Sequence, residues 1–363
     1  MRKRIRESIR SKSQHKFLVA RGANLAPSAT IMPMLPRTDN APGAPDALMA
    51  ANVWWRSHPW PQPYEHTSHV VRIADARALS GIADESIHLI VTSPPYFDLK
   101  PYESDAAGAQ LGRIHDYEQF LSELDKVWKE CSRVLVPGGR VCCVVGDVLV
   151  PRKAGGRHFV LPLPSDIQVR SRAAGLDNLT PIFWFKIGNR TNESGGGSSG
   201  FYGKPYQPGA VIKNDHEHIL MLRKPGGYRS TDMVQKALSM LLPHEMDAWM
   251  RPVWSDIRGA SLRDGHPAPY PIEMAERLIR MFSFAGDTVL DPFAGSGSTG
   301  LAAVACGRSS ISIEIEPAYA TMAVAKITQA ARSVRLWGPS RVEVFNDRPN
   351  PNAACSKLRG AAA

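Results

Sequence analysis

Short apolar runs alternate with segments of helical periodicity from residue 68 onward. The runs, in chain order, are residues 70–73, 87–91, 140–145, 181–185, 218–222, 288–290 and 310–315. Between the second and third runs, residues 117–134 place Phe120 and Trp128 among apolar residues at helical spacing. Pro137-Gly138-Gly139 is expected to end that helix and turn the chain into the next strand. This alternation predicts an α/β fold with a doubly wound, mostly parallel sheet.

The domain organisation follows from where this alternation starts, stops and is interrupted. Residues 1–65 begin with a basic run and continue with a Pro/Ala/Asn-rich stretch, which predicts a flexible basic N-terminal arm. The folded domain is expected at 66–335, followed by a C-terminal tail at 336–363. Segments 151–215 and 224–262 interrupt the alternation. Because long loops inside a compact domain are usually functional, either segment is a candidate to recognise a partner.

Composition and charge narrow the possible functions. The formal net charge is +10, and the first 21 residues hold eight Lys or Arg against the single acid Glu7, a local excess of seven. This arm is either a solvated tail or a nucleic-acid-binding element, and its composition fits a mitochondrial transit peptide less well. The longest apolar stretch, 141–150, is shorter than the roughly 20 residues of a membrane span. The five cysteines show no C-x-x-C pair, so a reducing, cytoplasmic setting without a zinc site or disulfide framework is expected.

A glycine-rich turn follows one of the apolar runs. The string from Thr288 to Gly300 reads TVLDPFAGSGSTG, and residues 301–306 continue as a predicted helix. Gly295 and Gly297 allow a sharp turn and the close approach of a ligand to the helix amino terminus, which suits a nucleoside-type cofactor. With Gly300 the spacing also satisfies G-x-G-x-x-G, with an acid, Glu314, about 20 residues on. A nicotinamide-dependent oxidoreductase and a turn without a ligand therefore remain alternatives.

A second loop follows the run 87–91 and reads Thr92-Ser93-Pro94-Pro95-Tyr96. Ligands of open α/β sheets bind at the carboxyl ends of strands, so this loop is expected to face the glycine turn. The two prolines stiffen the backbone and remove N–H donors, which leaves carbonyl oxygens as acceptors. Ser93 Oγ and the Pro94 carbonyl can accept the two hydrogens of a primary amino group, and Tyr96 can stack on an attached ring.

Together the two motifs resemble those of the exocyclic-amino DNA methyltransferases. The Ser-Pro-Pro-Tyr loop precedes the glycine turn in the chain, and this order is similar to that of their permuted β class. The resemblance covers roughly residues 68–330 and implies the Rossmann-like fold of S-adenosylmethionine-dependent methyltransferases in circularly permuted form. The run 70–73 would then be the third strand of the usual sheet and 87–91 the fourth. The first two strands would come last, at 288–291 and 310–314.

The resemblance also assigns residues to the methyl donor, S-adenosylmethionine. Asp75 would lie near its adenine amino group, Asp291 near its methionine amino group, and Glu314 would bind its ribose hydroxyls. Residues 266–271, HPAPYP, resemble a segment that helps to enclose the methionine end. The expected cofactor-binding set is Asp75, Asp291, Pro292, Phe293, Ala294, Gly295, Ser296, Gly297, Ser298, Thr299 and Glu314, with no metal.

The chemistry of the catalytic loop can be argued from the substrate. An exocyclic amine is a poor nucleophile because its lone pair is delocalised into the ring, and acceptors that hold both hydrogens favour a more pyramidal nitrogen. Methyl transfer then needs positioning rather than a covalent enzyme intermediate. The target nucleotide must leave the duplex to reach the pocket. The expected catalytic residues are Ser93, Pro94, Pro95 and Tyr96.

Family members with serine at the first motif position are mostly N4-cytosine enzymes, so the resemblance predicts N4-cytosine methylation. N6-adenine methylation is the alternative, since both bases present an amino group beside a ring nitrogen. Methylation of RNA and a catalytically silent DNA-binding protein are less favoured. The expected partners are double-stranded DNA with a specific recognition sequence and a companion restriction endonuclease, with no membrane. The enzyme is expected to be a monomer or homodimer associated with the nucleoid in the cytoplasm.

Recognition of the target sequence is assigned to two rival segments. The first, 151–215, offers cations for phosphates and amides for base edges, although a solvated basic face is an equally good interpretation. Its candidates are Arg152, Lys153, Arg157, Arg170, Arg172, Lys186, Arg190, Lys204, Lys213, Asn189, Asn192 and Gln207. The second, 224–262, offers Arg229, Arg251, Trp254 and Arg258.

Overall fold

The computed structural model describes residues 31–97, 110–150, 152, 156–186, 214–259, 270–333 and 340–347. The helices are α1 (Ala44–Trp55), α2 (Tyr117–Val134), α3 (Leu163–Ser171), α4 (Met233–Ser239), α5 (Pro243–Trp249), α6 (Ile272–Phe282), α7 (Ser298–Cys306) and α8 (Pro317–Ser333). The strands are β1 (Ser68–Ile73), β2 (Ile87–Thr92), β3 (Leu135–Val145), β4 (Val148–Val150), β5 (Phe159–Leu161), β6 (Asp177–Phe185), β7 (His216–Arg223), β8 (Val253–Trp254), β9 (Thr288–Asp291), β10 (Ser309–Glu314) and β11 (Arg341–Asn346). Within these ranges, no helix is long and apolar enough to cross a membrane.

Nine of these strands form one mixed sheet in the order β11-β1-β10-β9-β2-β3-β7-β6-β8. Strand β7 runs antiparallel to both of its neighbours, whereas the other pairings are parallel. The order β1-β10-β9-β2 confirms the permuted register, in which the last two motif-bearing strands insert beside the first two. The carboxyl ends of β1, β10, β9, β2 and β3 therefore meet at one edge, where the amino end of β7 also lies.

Helices cover both faces of the sheet, which confirms the doubly wound arrangement. On one face, α2 and α3 pack on a core that includes Phe120, Trp128 and Ile167. On the other face, α6 and α7 contribute Leu278 and Ala302 to a second core. Helices α2 and α6 each present one apolar side to the sheet, whereas α7 is buried on nearly every side. Burial of a large apolar side chain contributes about 1.5–3 kcal/mol.

Helix α2 spans 117–134, as its periodicity predicts. The Asp116 side chain caps its first turn by accepting a hydrogen bond from the Gln119 backbone N–H at 2.7 Å. The turn expected at Pro137-Gly138-Gly139 is wrong, because β3 begins directly at Leu135. The three residues instead lie where the pairing of β2 with β3 shifts register, so they form an irregularity inside the strand.

The predicted boundaries of the folded domain also need correction. Helix α1 lies within the segment expected to be a flexible arm, yet Leu48, Ala51 and Trp55 are buried against α4. The Asn52 side chain fixes this contact by donating a hydrogen bond to the Ala237 carbonyl at 2.8 Å. At the other end, β11 pairs with β1 along its whole length, although it lies in the expected C-terminal tail. Residues 1–30 and 348–363 lie outside the described residues.

Candidate active site

The two sequence motifs meet at the carboxyl edge of the sheet. Strand β2 ends at Thr92, directly before Ser93, and its neighbour β9 ends at Asp291, directly before the glycine turn. In the catalytic loop Pro94 is buried, whereas Ser93, Pro95 and Tyr96 are partly buried. The structure therefore brings the loop predicted to hold the amine beside the turn predicted to hold the donor.

Asp291 connects the two motifs through hydrogen bonds. One carboxylate oxygen accepts from the Thr92 hydroxyl at 2.7 Å and from the Phe293 backbone N–H at 3.0 Å. The other accepts from the Thr299 hydroxyl at 2.6 Å and from the Tyr270 hydroxyl at 3.2 Å. Asp291 is 1% exposed, and this burial raises its pKa against the opposing effect of the four hydrogen bonds. The carboxylate thus joins β2, β9 and α7, while its contact with the methionine amino group stays a prediction.

Tyr270 lies in the site, although the sequence indicated it only through the resemblance of residues 266–271 to a segment near the methionine end of the donor. Its buried hydroxyl contacts both Asp291 and the Thr299 hydroxyl. Burial raises the pKa of Tyr270 well above its usual range, and the neighbouring Asp291 charge acts in the same direction. The hydroxyl of a buried tyrosine needs a hydrogen-bond partner, which Asp291 and Thr299 provide here. In the sequence, the only signal for these contacts was a tyrosine among the prolines of 266–271.

The glycine turn is shaped by packing as well as by its own backbone. Gly295 and Gly297 adopt φ values of +50° and +89°, which side chains rarely adopt. A Cβ at Gly297 would lie 2.9 Å from the Ala323 Cβ, and one at Gly300 would lie 2.5 Å from Ile327 Cδ1. The last two glycines therefore let α7 approach α8 closely. Within the turn, Pro292, Ala294, Ser296, Ser298 and Thr299 are buried and Phe293 is partly buried.

Glu314, at the end of β10, is held by two backbone groups. Its carboxylate accepts hydrogen bonds from the N–H of Gly295 and of Glu316, both at 2.8 Å. Burial nevertheless raises the pKa of Glu314 to about 7. Two residues on, the buried Oε2 of Glu316 has no hydrogen-bond partner within the described residues. A ligand that brings hydroxyl donors to this strand end, such as the ribose of S-adenosylmethionine, fits these acceptors.

Asp75, which follows β1, lies one strand beyond Glu314 at the same edge. Both oxygens of its carboxylate lie 3.0 Å from the Arg77 Nε, which donates to them. One of these oxygens also accepts a hydrogen bond from the Arg77 backbone N–H at 2.9 Å. Arg77 in turn contacts Glu123 on α2 at 2.7 Å. The acid is thus oriented by a cation beside the expected adenine position, and its contact with the adenine stays a prediction.

Tyr96 has partners that the motifs did not indicate. Its hydroxyl donates to the buried Glu217 carboxylate of β7 and accepts from the backbone N–H of Gly146, just after β3. Lys186, just after β6, forms an ion pair with the same carboxylate. Burial, followed by the Glu217 charge, raises the pKa of Tyr96 well above its usual range. The one available sequence signal was an acid between two histidines, directly before the apolar run of the strand.

Comparison with known proteins decides the family. The model of the N6/N4 DNA methylase family, described as DNA methylase, matches residues 87–325. The chain belongs to this family. Members of the family use S-adenosylmethionine, so the predicted methyl donor is confirmed at the level of the family. The nicotinamide-dependent alternative is excluded.

Relatives of this methylase agree along most of the chain. The type II methyltransferase M.MjaI from Methanocaldococcus jannaschii is 35% identical over 308 residues, which cover 77% of this chain and 97% of the relative. The DNA adenine methyltransferase YhdJ from Escherichia coli K12 is 28% identical, with coverage of 75% and 86%.

Solved structures confirm the predicted methyltransferase fold. TTHA0409 from Thermus thermophilus, a candidate DNA modification methylase solved with S-adenosyl-L-methionine, has 43% identity and a TM-score of 0.62. The match covers 78% of this methylase and all of that chain. The cytosine-N4-specific PvuII DNA methyltransferase has 18% identity and a TM-score of 0.52, with coverage of 77% and 96%, which shows likeness of fold alone.

The segments expected to recognise DNA are partly built into the core of this methylase. In the first segment Arg170 pairs with Asp125 on α2 at 2.7 Å, so its charge already has a partner. In the second, Trp254 is 1% exposed and packs in the core, which contradicts an exposed recognition role. Arg229 pairs with the buried Asp287. Seven candidates lie outside the described residues: Lys153, Asn189, Arg190, Asn192, Lys204, Gln207 and Lys213.

Proposed function

We propose that this methylase transfers a methyl group from S-adenosylmethionine to the exocyclic N4 of a flipped cytosine in double-stranded DNA. The observation that carries the proposal is the hydrogen bond from Thr92 to Asp291, at 2.7 Å, because it ties the end of the Ser93 strand to the glycine turn. The amine acceptor and the donor turn are thereby held in one frame. Holding reactants in such a frame is the main requirement of an in-line transfer.

The catalytic loop acts on the amine. Ser93 Oγ and the Pro94 carbonyl accept its two hydrogens, which directs the nitrogen lone pair away from the base ring and toward the glycine turn. The Tyr96 ring stacks on the flipped base. This stacking contributes about 1–3 kcal/mol and offsets part of the cost of taking the base out of the duplex. When bound, S-adenosylmethionine would supply an electrophilic methyl carbon: its sulfonium–methyl bond breaks as the nitrogen–methyl bond forms, S-adenosylhomocysteine leaves, and one amine proton passes to water. Glu314 and Glu316 accept hydrogen bonds from its ribose, and Asp75 faces its adenine.

The choice of base rests on Ser93. Serine at this position favours N4-cytosine by the family resemblance. N6-adenine is the second candidate, because YhdJ, at 28% identity, is named a DNA adenine methyltransferase. Either base leaves the roles of Ser93 and Pro94 unchanged, since both bases present an amino group to the same two acceptors.

A specific DNA sequence and a companion restriction endonuclease belong to the same proposal. M.MjaI is named a type II methyltransferase, and its alignment spans 97% of its own length. We therefore expect a short recognition sequence in duplex DNA. The segments 151–215 and 224–262 remain its proposed readers through the arginines that the core does not engage, including Arg152 and Arg258.

Mass spectrometry of nucleosides tests the proposal. Unmethylated DNA of mixed sequence is incubated with the enzyme and S-adenosylmethionine, beside a Ser93→Ala variant. We expect N4-methylcytosine, reduced about 100-fold in the variant, because a positioned polar contact to the reacting group is lost. N6-methyladenine would keep the mechanism and overturn the choice of base. No methylated base despite donor binding would contradict the proposal of DNA as the substrate.

A further inference from the structure

The Tyr96 hydroxyl is fixed on two sides, although stacking itself needs only the ring. It donates to the Glu217 carboxylate and accepts from the backbone N–H of Gly146. These partners come from the start of β7 and the end of β3, which are paired neighbours in the sheet. Hydrogen bonds at the phenol oxygen restrict rotation about the Cα–Cβ bond, because that rotation moves the oxygen. They also orient the ring plane, because the O–H bond and the accepting lone pair of a phenol prefer to lie in the plane of the ring.

The Glu217 side chain is itself held in place. It is 7% exposed, and its Cγ would lie only 3.2 Å from a Cβ placed on Gly146. The missing side chain at Gly146 therefore leaves the space that the carboxylate uses to reach Tyr96. A buried carboxylate without a counter-charge would be costly, so its ionised form needs a cation nearby.

Lys186 provides that cation. Its ammonium pairs with Glu217 and lies 5.5 Å from the centre of the Trp184 ring. Its backbone N–H donates to the Asp215 carbonyl at 2.9 Å, which fixes the end of β6 against the start of β7. The cation, the acid and the phenol thus form a continuous chain of contacts across three strand ends.

We propose that Glu217, held by Lys186, is a positioning residue that fixes the Tyr96 ring in the orientation on which the flipped base stacks. The inference rests on the proposed function, because it concerns the target base of the same site. A preformed stacking surface lets the base enter without a further loss of side-chain freedom. Glu217 acts only through the Tyr96 hydroxyl, and Lys186 only through Glu217.

A double-mutant cycle tests this chain of contacts. Glu217→Ala and Tyr96→Phe are each expected to lower kcat/KM about tenfold, and the double variant is expected to fall by about the same tenfold. Donor affinity should stay at the wild-type value in all three. An additive loss of about 100-fold, or loss of donor binding by Glu217→Ala, would overturn the inference. Glu217→Gln should recover most of the activity, since its amide oxygen can still accept from Tyr96.

A spectroscopic readout separates stacking from general damage. With 2-aminopurine at the target position, wild-type enzyme should stack and quench the flipped base, whereas Glu217→Ala should leave it several-fold brighter. Equal quenching in both would overturn the inference. Glu85→Gln is the matched control, because it alters a Glu–Lys pair with Lys224, at the other end of β7, and should change nothing. If the wild-type enzyme methylates no base, the proposed function fails with it; additivity in an active enzyme contradicts this inference alone.

Discussion

Asp291 and Glu217 are both buried carboxylates at the same edge of the sheet, but they are satisfied in different ways. Asp291 accepts four hydrogen bonds from neutral hydroxyl and backbone donors. Glu217 pairs with Lys186, whose side chain is 27% exposed, and accepts from Tyr96. The acid on the donor side is enclosed by protein, whereas the acid on the target side is linked through its cation to solvent.

This difference indicates which half of the site stabilises the fold: the donor half around Asp291 or the target half around Glu217 and Tyr96. The donors around Asp291 come from β2, the glycine turn, α7 and Tyr270, so the carboxylate crosslinks elements far apart in the chain. If it is removed, buried donors lose their partner. If Glu217 is removed, water can reach Lys186. We therefore expect the donor half to control stability and the target half to control turnover.

The largest expected effect breaks the donor half. Asp291→Ala should lower the free energy of unfolding by about 4 kcal/mol, because several buried donors lose their acceptor together. Glu217→Ala should lower it by only about 1–2 kcal/mol, because Lys186 can be hydrated and Tyr96 alone loses a buried acceptor. Urea denaturation followed by circular dichroism measures both values.

Asp84→Asn is the control. Asp84 pairs with Arg133, but 72% of the Asp84 side chain is exposed, and a surface pair of this kind contributes about 0–1 kcal/mol. Equal losses for Asp291→Ala and Glu217→Ala would contradict the comparison.

A medium effect tests the packing of the donor half. Gly300→Ala should lower the free energy of unfolding by about 1–3 kcal/mol, because the new Cβ would lie 2.5 Å from Ile327 Cδ1. Ile327→Val removes that atom, so the double variant should recover part of the loss. Gly227→Ala is the matched control, because no atom in the described part of the chain lies within 4 Å of a Cβ placed there. Thermal unfolding of the wild type, the three single variants and the double variant measures this. A double variant no more stable than Gly300→Ala would show that the contact with Ile327 is not the cause.

Sequence could predict the parts of this site whose signals are contiguous. The Ser93 loop and the glycine turn are unbroken strings, and their resemblance to the permuted methyltransferase class placed four strands of the sheet. The reason for Gly297 and Gly300 could not be read from the turn. Their contacts, Ala323 and Ile327, lie on a helix more than 20 residues later.

The remaining omissions have a similar physical cause. Glu217 and Lys186 reach Tyr96 only because β7 and β6 end beside β3, which no local pattern states. Helix α1 was missed because apolar residues occur on several of its sides, Met49 and Trp54 as well as the buried Leu48 and Trp55, so no single apolar side marks it as a helix. Its stability comes from contact with α4, so the local periodicity was too weak to predict it.

The smallest expected effect is the pH dependence of donor binding through Glu314. Its pKa is raised from 4.5 to about 7, so the folded protein holds this proton more tightly than the unfolded chain. For this group, stability is therefore lost as the pH rises from about 4.5 to 7. Donor binding has the opposite sign, because ribose hydroxyls donate better to the ionised carboxylate. Affinity should increase by up to about tenfold between pH 6 and pH 8.

Calorimetric titration of S-adenosylmethionine at several pH values measures this effect. The amino group of the donor also titrates near pH 8, so the comparison must be with Glu314→Gln, in which only the protein group is fixed as neutral. The variant should bind less tightly at pH 8 and should lose the part of the pH dependence centred near 7. Binding to the wild-type enzyme near pH 7 should also release a proton, which appears as a dependence of the heat on the buffer. Identical pH profiles for the two proteins would show that Glu314 does not ionise when the donor binds, and Glu316 would then be the acceptor to test.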